Sequence, residues 1–234
     1  MFPRLASVAL LAMLASAPAQ ASDEAWKIHV ELQAIMLPAK DALALLPELS
    51  DDKSMPAAWA KVEAMLADAK AKVSAILLGQ TQGEKIEVRQ GEDVRYATEY
   101  TTPWPIQHPA DDKAGPKQNL GVAFGPTAFE IGKTGVMLTA SAEASADGRR
   151  ISVSATAEHV WMLGWQDFEQ GRLANNDKLI IKQPRFASAK TEGAFALNSG
   201  ERTLLSIHRV PGSETEMELF ILRTWTTPLN GGKK

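Results

Sequence analysis

Alternating apolar and polar residues on either side of a two-residue turn constrain this chain more than any other feature. Small or apolar residues occupy every second position of 151–157, with serine and threonine between them. The dipeptide Asp147-Gly148 lies just before this run, and Asp-Gly is typical of the tight turn that joins two antiparallel strands. Period-two alternation predicts a strand buried on one face. The sequence therefore predicts a hairpin of strands 134–145 and 149–163.

Similar patterns place strands along most of the chain, with a helical stretch near the start. The spacing predicts a short helix over 39–46 that stops near Pro47, and a longer helix over 55–76. The apolar stripe of the longer helix is Trp59, Val62, Leu66, Ala69, Val73 and Ile76. The remaining predicted strands are 26–36, 75–81, 85–90, 93–101, 120–131, 178–190, 193–198, 202–209 and 216–226, with a polar loop over 164–177.

These elements predict the fold class and a division of the chain. The class is α+β, mainly β, with a small N-terminal strand-helix-strand unit followed by an antiparallel β domain. Small residues on the long strands suit closely packed sheets; they are Ala140, Ala142, Ala144, Ala155 and Ala157. The predicted segments are a signal peptide (1–21), an α+β unit (22–100), a Pro-rich loop (101–119), a β domain (120–228) and a disordered tail (229–234).

Composition excludes several classes of function. The 234 residues include no cysteine, 25 Lys or Arg and 28 Asp or Glu. Without cysteine the chain has no disulfide, no thiol nucleophile and no cysteine-based zinc site. A mildly acidic chain with mixed charges is a poor general binder of nucleic acid. The segment at 1–21, with one charge, a short apolar run and a small-x-small ending, predicts export to the periplasm or the outer membrane.

The residues that could carry chemistry are scattered. The four histidines (29, 108, 159 and 208) have no neighbours at ligand spacing, so we expect no metal site. Motifs of known enzyme classes are mostly absent, so we expect no cofactor, and the sequence identifies no small-molecule substrate. An enzyme would need His159 to meet a carboxylate such as Glu130 or Glu143. A set of aromatic residues could form a stacking surface for sugars or an interaction surface, or could pack within the fold. This set is Trp104, Trp161, Trp165, Trp225, Tyr96 and Tyr100.

Short motifs follow one another in a characteristic order through the β-rich part. They are Ile-Glu-Val-Arg-Gln-Gly-Glu at 86–92 with Val94 and Tyr96 after it, Gly-Val-Met-Leu at 135–138, Asp-Gly at 147–148, Ile-Ser-Val at 151–153, Gln-Pro-Arg-Phe at 183–186, Leu-Asn-Ser-Gly at 197–200, Thr-Leu-Leu at 203–205, and Glu-Leu-Phe-Ile at 218–221 before Thr227-Pro228. Their order resembles the C-terminal domain of the secretin family, the ring-forming outer-membrane channels of type II and type III secretion and of pilus systems. The resemblance covers roughly 57–228.

The resemblance implies a non-enzymatic component of an envelope assembly that associates with its own copies or with a larger secretin. Two family features are missing: Ser-Ile-His-Arg stands at 206–209 in place of Gly-Gly-Leu, and only 211–216 occupies the place of the stretch that helps to build the gate and the membrane lip. The resemblance therefore does not determine whether the protein contacts a membrane. The alternative function is a monomeric periplasmic protein that binds a ligand of the glycan type.

Overall fold

The computed structural model describes residues 26–101, 125–172 and 178–229. The predicted signal peptide, most of the Pro-rich loop and most of the tail lie outside these ranges. Two helices and ten strands follow in the order β1 (Trp26–Pro38), α1 (Ala39–Leu49), α2 (Met55–Ala67), β2 (Lys72–Thr81), β3 (Ile86–Gln90), β4 (Asp93–Tyr100), β5 (Pro126–Lys133), β6 (Gly135–Ala144), β7 (Arg150–Arg172), β8 (Lys178–Asn198), β9 (Arg202–Arg209) and β10 (Glu216–Pro228). The predicted fold class, α+β and mainly β with a strand-helix-strand start, is confirmed.

The first sheet, sheet A, brings both ends of the described chain together. Its strand order is β2-β1-β10-β9, and every pair in it is antiparallel. β1 and β10 pair along their whole length, from Trp26 opposite Pro228 to Pro38 opposite Glu216. The early and the late part of the sequence therefore share one sheet. The predicted division of the chain into units 22–100 and 120–228 stays a prediction.

The second sheet, sheet B, packs on one face of sheet A. Its order is β3-β6-β7-β8, again antiparallel, while β4 and β5 form a separate hairpin. The core between the sheets contains large side chains from both sheets and, on β6 and β7 of sheet B, four buried alanines. Ala140, Ala142, Ala155 and Ala157 are all at most 2% exposed, so they let the sheets approach closely. The large partners are Ile28, Val30, Leu32, Leu77, Phe220 and Leu222.

The two helices cover part of the other face of sheet A, which we call the outer face. Ile35 and Leu37 of β1 and Leu219 and Ile221 of β10 pack there against both helices. The even-numbered residues of these strands point to sheet B and the odd-numbered ones point outwards, as period-two geometry requires. Towards the other end of β1 and β10 the outer-face residues His29 and Trp225 are half-buried. No helix among the described residues is long and apolar enough to cross a membrane.

The predicted boundaries of the helices are wrong at two places. The helix predicted over 55–76 ends at Ala67, and Ala69 adopts a left-handed conformation (φ 57°) that terminates it. Residues 72–76 instead begin β2, because pairing with β1 buries Ala75 and Leu77. Val73 and Ile76 of the predicted stripe are consequently 45% and 53% exposed.

Pro47 does not stop the first helix, which continues to Leu49. Proline is unfavourable in a helix interior because it lacks an N–H and crowds the preceding turn. Here Leu45 and Leu49, on either side of Pro47, are both buried against the outer face of sheet A. Tertiary packing of this face outweighs the local preference.

The polar loop predicted over 164–177 is wrong for residues 164–172, while 173–177 lie outside the described residues. Residues 164–172 belong to β7, and β8 is one strand where two were predicted. The run is too polar to predict a strand by periodicity, but pairing with β8 satisfies the backbone groups along one edge of it. In contrast, the Asp147-Gly148 turn is confirmed: Gly148 has a φ of 67°, and Asp147 Oδ1 accepts hydrogen bonds from Ser145 Oγ at 2.6 Å and from the Arg149 amide at 3.1 Å.

Candidate functional site

The longest strands form an arm that extends beyond the rest of sheet B. β7 and β8 pair along their whole length, whereas the pairing of β6 with β7 ends at Gly135 opposite Val160. Residues 161–172 of β7 therefore have only β8 as a hydrogen-bonded neighbour among the described strands. We call 161–172 and the paired residues 178–187 the arm. At about 3.3 Å per residue, the arm is roughly 35–40 Å long.

The arm and the neighbouring hairpin expose several large apolar side chains. They are Leu163, Trp165, Phe168 and Ile180 on the arm and Phe129 and Ile131 on β5, each between 41% and 62% exposed. Trp165 and Phe168 are three positions apart on β7, so both faces of the ribbon expose apolar surface, and exposed apolar surface is typical of interaction sites. A two-stranded ribbon is also only marginally stable by itself in water. Both observations make the arm the candidate interaction surface of the described chain.

The β4–β5 hairpin packs against one side of the arm. Gln183 Nε2 donates a hydrogen bond to the Ala97 carbonyl at 2.7 Å, and the Tyr96 and Phe186 rings lie 6.2 Å apart. Gly132 makes the close approach possible, since a Cβ there would lie 2.4 Å from Phe186 Cζ. This packing fixes the angle between the hairpin and the arm.

The predicted aromatic set does not form one surface. Trp165 lies on the arm and is 49% exposed, and Tyr96 contacts the arm through Phe186. The Tyr96 hydroxyl donates to Glu130 Oε2 at 3.0 Å, and this hydrogen bond raises the pKa of Tyr96. Tyr100 is half-buried near the end of the β4–β5 hairpin, opposite Pro126. Trp104 lies outside the described residues.

The two remaining tryptophans lie elsewhere in the fold. Trp161 lies at the base of the arm, with its ring 3.9 Å from the His159 ring, centroid to centroid. Trp225 is on the outer face of sheet A, where it stacks in parallel on His29 at 4.9 Å. The structure therefore brings Trp165 and Tyr96 to the arm and leaves Trp225 on another face of the molecule.

A buried glutamate is the most unusual polar feature of the fold. Glu218 on β10 is 0% exposed, between the two sheets. Its Oε2 lies 2.7 Å from His159 Nδ1 on β7 and 3.0 Å from His208 Nε2 on β9. Its Oε1 accepts a hydrogen bond from Ser74 Oγ on β2. One carboxylate thus links both edge strands of sheet A to sheet B.

The surroundings of Glu218 keep this carboxylate charged. Burial by itself raises the pKa of Glu218, but hydrogen bonds from His159, His208 and Ser74 outweigh it and lower the pKa to about 2. Aromatic rings enclose the imidazoles: Trp161 packs on His159, and Phe220 meets His208 edge-on at 4.7 Å. The cluster is therefore an enclosed polar network within an apolar core.

Sequence analysis missed this cluster, although the sequence carries a signal for it. His159 continues the alternation of Ala155 and Ala157, so it belongs to the buried face of its strand. Glu218 shares a face with Phe220 and Leu222 in the same way. A charged residue on an apolar face requires a buried partner, but alternation does not say which one.

The cluster is built as a structural link between strands. The carboxylate that reaches His159 is Glu218, whereas Glu130 is bound by Tyr96 and Glu143 is exposed. Ser74 Oγ contacts the carboxylate and the Ala34 carbonyl, and not an imidazole, so serine and histidine do not form a nucleophile–base pair. Among the described residues, no three His, Asp or Glu side chains are arranged to hold a metal ion.

Comparison with solved structures finds secretins. The chain is similar to the secretin domain β-barrel of InvG from the Salmonella SPI-1 injectisome NC-base, with 13% identity and a TM-score of 0.33 over 89% of this chain and 63% of that one. It is similar to the ETEC pilotin–secretin complex AspS–GspD, with 11% identity and a TM-score of 0.36 over 88% and 49% of the two chains. It is also similar to ExeD of Aeromonas hydrophila, with 11% identity and a TM-score of 0.33 over 86% of this chain and 48% of that one.

The match thus covers between 48% and 63% of the length of each of those three secretin chains. No family model and no curated protein matches it.

Proposed function

We propose that this protein is an exported, non-enzymatic, secretin-like component of an envelope secretion or pilus-type assembly, in which copies of the chain associate through the arm. The observation that carries the proposal is the arm itself: a two-stranded ribbon with exposed Trp165 and Phe168 and with no further hydrogen-bonded strand beside it among the described residues.

Strand addition is the physical means of this association. The outer edge of a β-strand carries backbone N–H and C=O groups that are free to pair with another strand. The apolar side chains of the arm would be removed from water in the same event, which stabilises the contact by about 25 cal/mol per Å² of apolar surface buried. Identical arms on neighbouring copies supply identical edges, so association can continue from copy to copy.

Two features of the sequence support the same proposal. The ordered motifs from 86–92 to 218–221 resemble those of secretins, and they lie on β3, β6 to β10 and the turns between them. The pattern at 1–21 predicts export to the compartment in which such assemblies are built. In this proposal, the partner of the arm is either another copy of the chain or a larger secretin.

The buried cluster supports a non-enzymatic function. Glu218 is fully enclosed, and both of its oxygens are already hydrogen-bonded to side chains of the protein. A general acid or base has to lie within hydrogen-bond reach of a substrate. Instead, the carboxylate of Glu218 on β10 is hydrogen-bonded to side chains of β2, β7 and β9, so that it links four strands.

The proposal is tested by the mass of the full exported chain in solution. Native mass spectrometry and light scattering are expected to show assemblies well above the 25.3 kDa of one chain. The double substitution Trp165→Glu and Phe168→Glu places two like charges on the arm, and it is expected to weaken association by at least about tenfold, which equals about 1.4 kcal/mol.

A matched control comes from sheet A. Ile76 and Leu78 on β2 are 53% and 49% exposed, comparable to the arm residues, but they lie on another strand of another sheet. The substitutions Ile76→Glu and Leu78→Glu are expected to leave the assembly intact. A wild-type chain that stays monomeric at every concentration, or equal effects of the two double variants, would contradict the proposal.

A further inference from the structure

Two arginines lie side by side on the outer face of sheet A. Arg202 on β9 is directly opposite Arg223 on β10. Like charges in directly opposed positions destabilise a sheet. Consistent with this, burial and then the charge of Arg223 lower the pKa of Arg202. The fold therefore holds two positive charges together at this place.

The hydrogen-bonding capacity of both guanidinium groups is largely unused. The Nε atoms of Arg202 and Arg223 are buried and have no hydrogen-bond partner among the described residues. Arg202 makes no ion pair within the described chain, and the Arg223 pair with Glu31 is long, at 3.9 Å. Buried donors without partners are rare in folded proteins and call for an explanation.

Tryptophan rings hold both arginines in place. The Arg202 guanidinium lies 4.5 Å from the centre of the Trp59 ring, and the Arg223 guanidinium lies 5.0 Å from that of Trp225. Such stacking is worth about 0.5–1 kcal/mol at exposed sites and fixes the plane of a guanidinium group without using its N–H donors. The rings thus orient both guanidinium groups without occupying their N–H donors.

A cavity of about 270 Å³ opens next to Arg202, between the start of α2 and the turn before β9. Its lining combines apolar surface on one side with charged groups at the edge. The lining includes Met55, Pro56, Trp59, Asp52, Glu201 and Arg202. A site of this kind suits a small ligand with one apolar part and one charged end.

We propose that Arg202, with the positive charge of Arg223 beside it, binds the carboxylate of a small molecule whose apolar part enters this cavity against Trp59 and Met55. A guanidinium group matches the two oxygens of a carboxylate, and its two terminal Nη groups can hold them in a bidentate manner, while the buried Nε atom lies out of reach of the ligand. This site is separate from the arm, because it lies on the face of sheet A that points away from sheet B.

The neighbouring acids favour a ligand with a single negative charge. Glu31 pairs weakly with Arg223, and Glu63 accepts a hydrogen bond from the Trp59 indole, so two carboxylates already offset the two arginines. Asp52 and Glu201 add negative charge at the edge of the cavity. A dianion such as phosphate would be repelled more strongly by these groups than a monocarboxylate.

The test uses benzoate as the probe and benzyl alcohol as its neutral counterpart. The full isotope-labelled chain is titrated with each compound while the indole N–H signals of Trp59 and Trp225 are followed by NMR. Benzoate is expected to shift both signals in a saturable way and to bind at least about tenfold more tightly than benzyl alcohol, because only benzoate pairs with the guanidinium groups.

Substitutions locate the binding. Arg202→Met is expected to weaken benzoate binding by at least about tenfold, and Arg202→Lys to weaken it less, because lysine keeps the charge but loses the fork. Arg209→Met, at the exposed end of the same strand, is expected to change nothing. Equal affinity for benzoate and benzyl alcohol, unchanged binding in Arg202→Met, or no saturable shift would overturn the proposal. Should Arg202→Met fail to fold by far-UV circular dichroism, the comparison of the two probes on the wild-type chain decides.

Discussion

Glu218→Ala is expected to lower the free energy of unfolding by about 3–5 kcal/mol, the usual cost of removing one partner from a buried charged pair. The substitution leaves His159, His208 and Ser74 facing an apolar cavity, and each of them loses its hydrogen bond to the carboxylate. It also separates both edge strands of sheet A from sheet B. Denaturation in urea, followed by circular dichroism, measures the change.

A glutamate close by in the sequence supplies the matched control. Glu214 lies in the exposed turn before β10, with no hydrogen bond or ion pair to another described residue. Glu214→Ala is expected to change the free energy of unfolding by no more than about 0.5 kcal/mol. Similar losses in the two variants would show that Glu218 does not act as the link between the sheets.

Acid is expected to remove the contribution of Glu218 within a defined pH range. Its pKa is about 2 in the folded chain, against an ordinary value of 4.5. A carboxyl group whose pKa falls on folding stabilises the protein above its unfolded pKa, and this stabilisation is lost as the pH falls towards the folded pKa. The contribution is therefore complete above about pH 5 and declines between pH 4.5 and about 2. A shift of this size corresponds to about 3 kcal/mol.

The measurement compares the wild-type chain with Glu218→Gln at each pH, so that the titration of all other carboxyl groups cancels. The wild-type advantage in free energy of unfolding is expected to be constant from about pH 7 to pH 5 and to shrink by about 3 kcal/mol towards pH 2. An advantage that stays constant across the acid range would mean that the pKa of Glu218 is the same in the folded and the unfolded chain, and would contradict the prediction.

Most strands could be predicted from the sequence, because period-two alternation is a local property. The alternation at 26–36 and at 151–157, and the turn at Asp147-Gly148, need only neighbouring residues to be recognised. The boundaries of helices were predicted wrongly where a helical pattern competes with strand pairing. The stretch 68–76 carries a helical stripe, and only its pairing with β1 makes part of it a strand.

The arm could not be predicted for the same reason. Residues 164–172 are polar, and the bulges in β7 beside Gly164 and Gly171 break its alternation, so the pattern is that of a loop. The chain extends there because β8 offers a complete ladder of backbone partners. Strand pairing over such a distance is absent from any local window of sequence.

The sequence by itself determined the fold class, the hairpin at Asp147-Gly148 and the buried faces of most strands, since these depend on residue spacing along one strand. It also placed His159 and Glu218 on apolar faces. Only the tertiary structure decided that these two residues meet, that Arg202 lies opposite Arg223, and that β7 and β8 extend beyond their sheet. Each of these facts depends on which strands become neighbours, and that choice is made by the packing of two sheets and two helices as a whole.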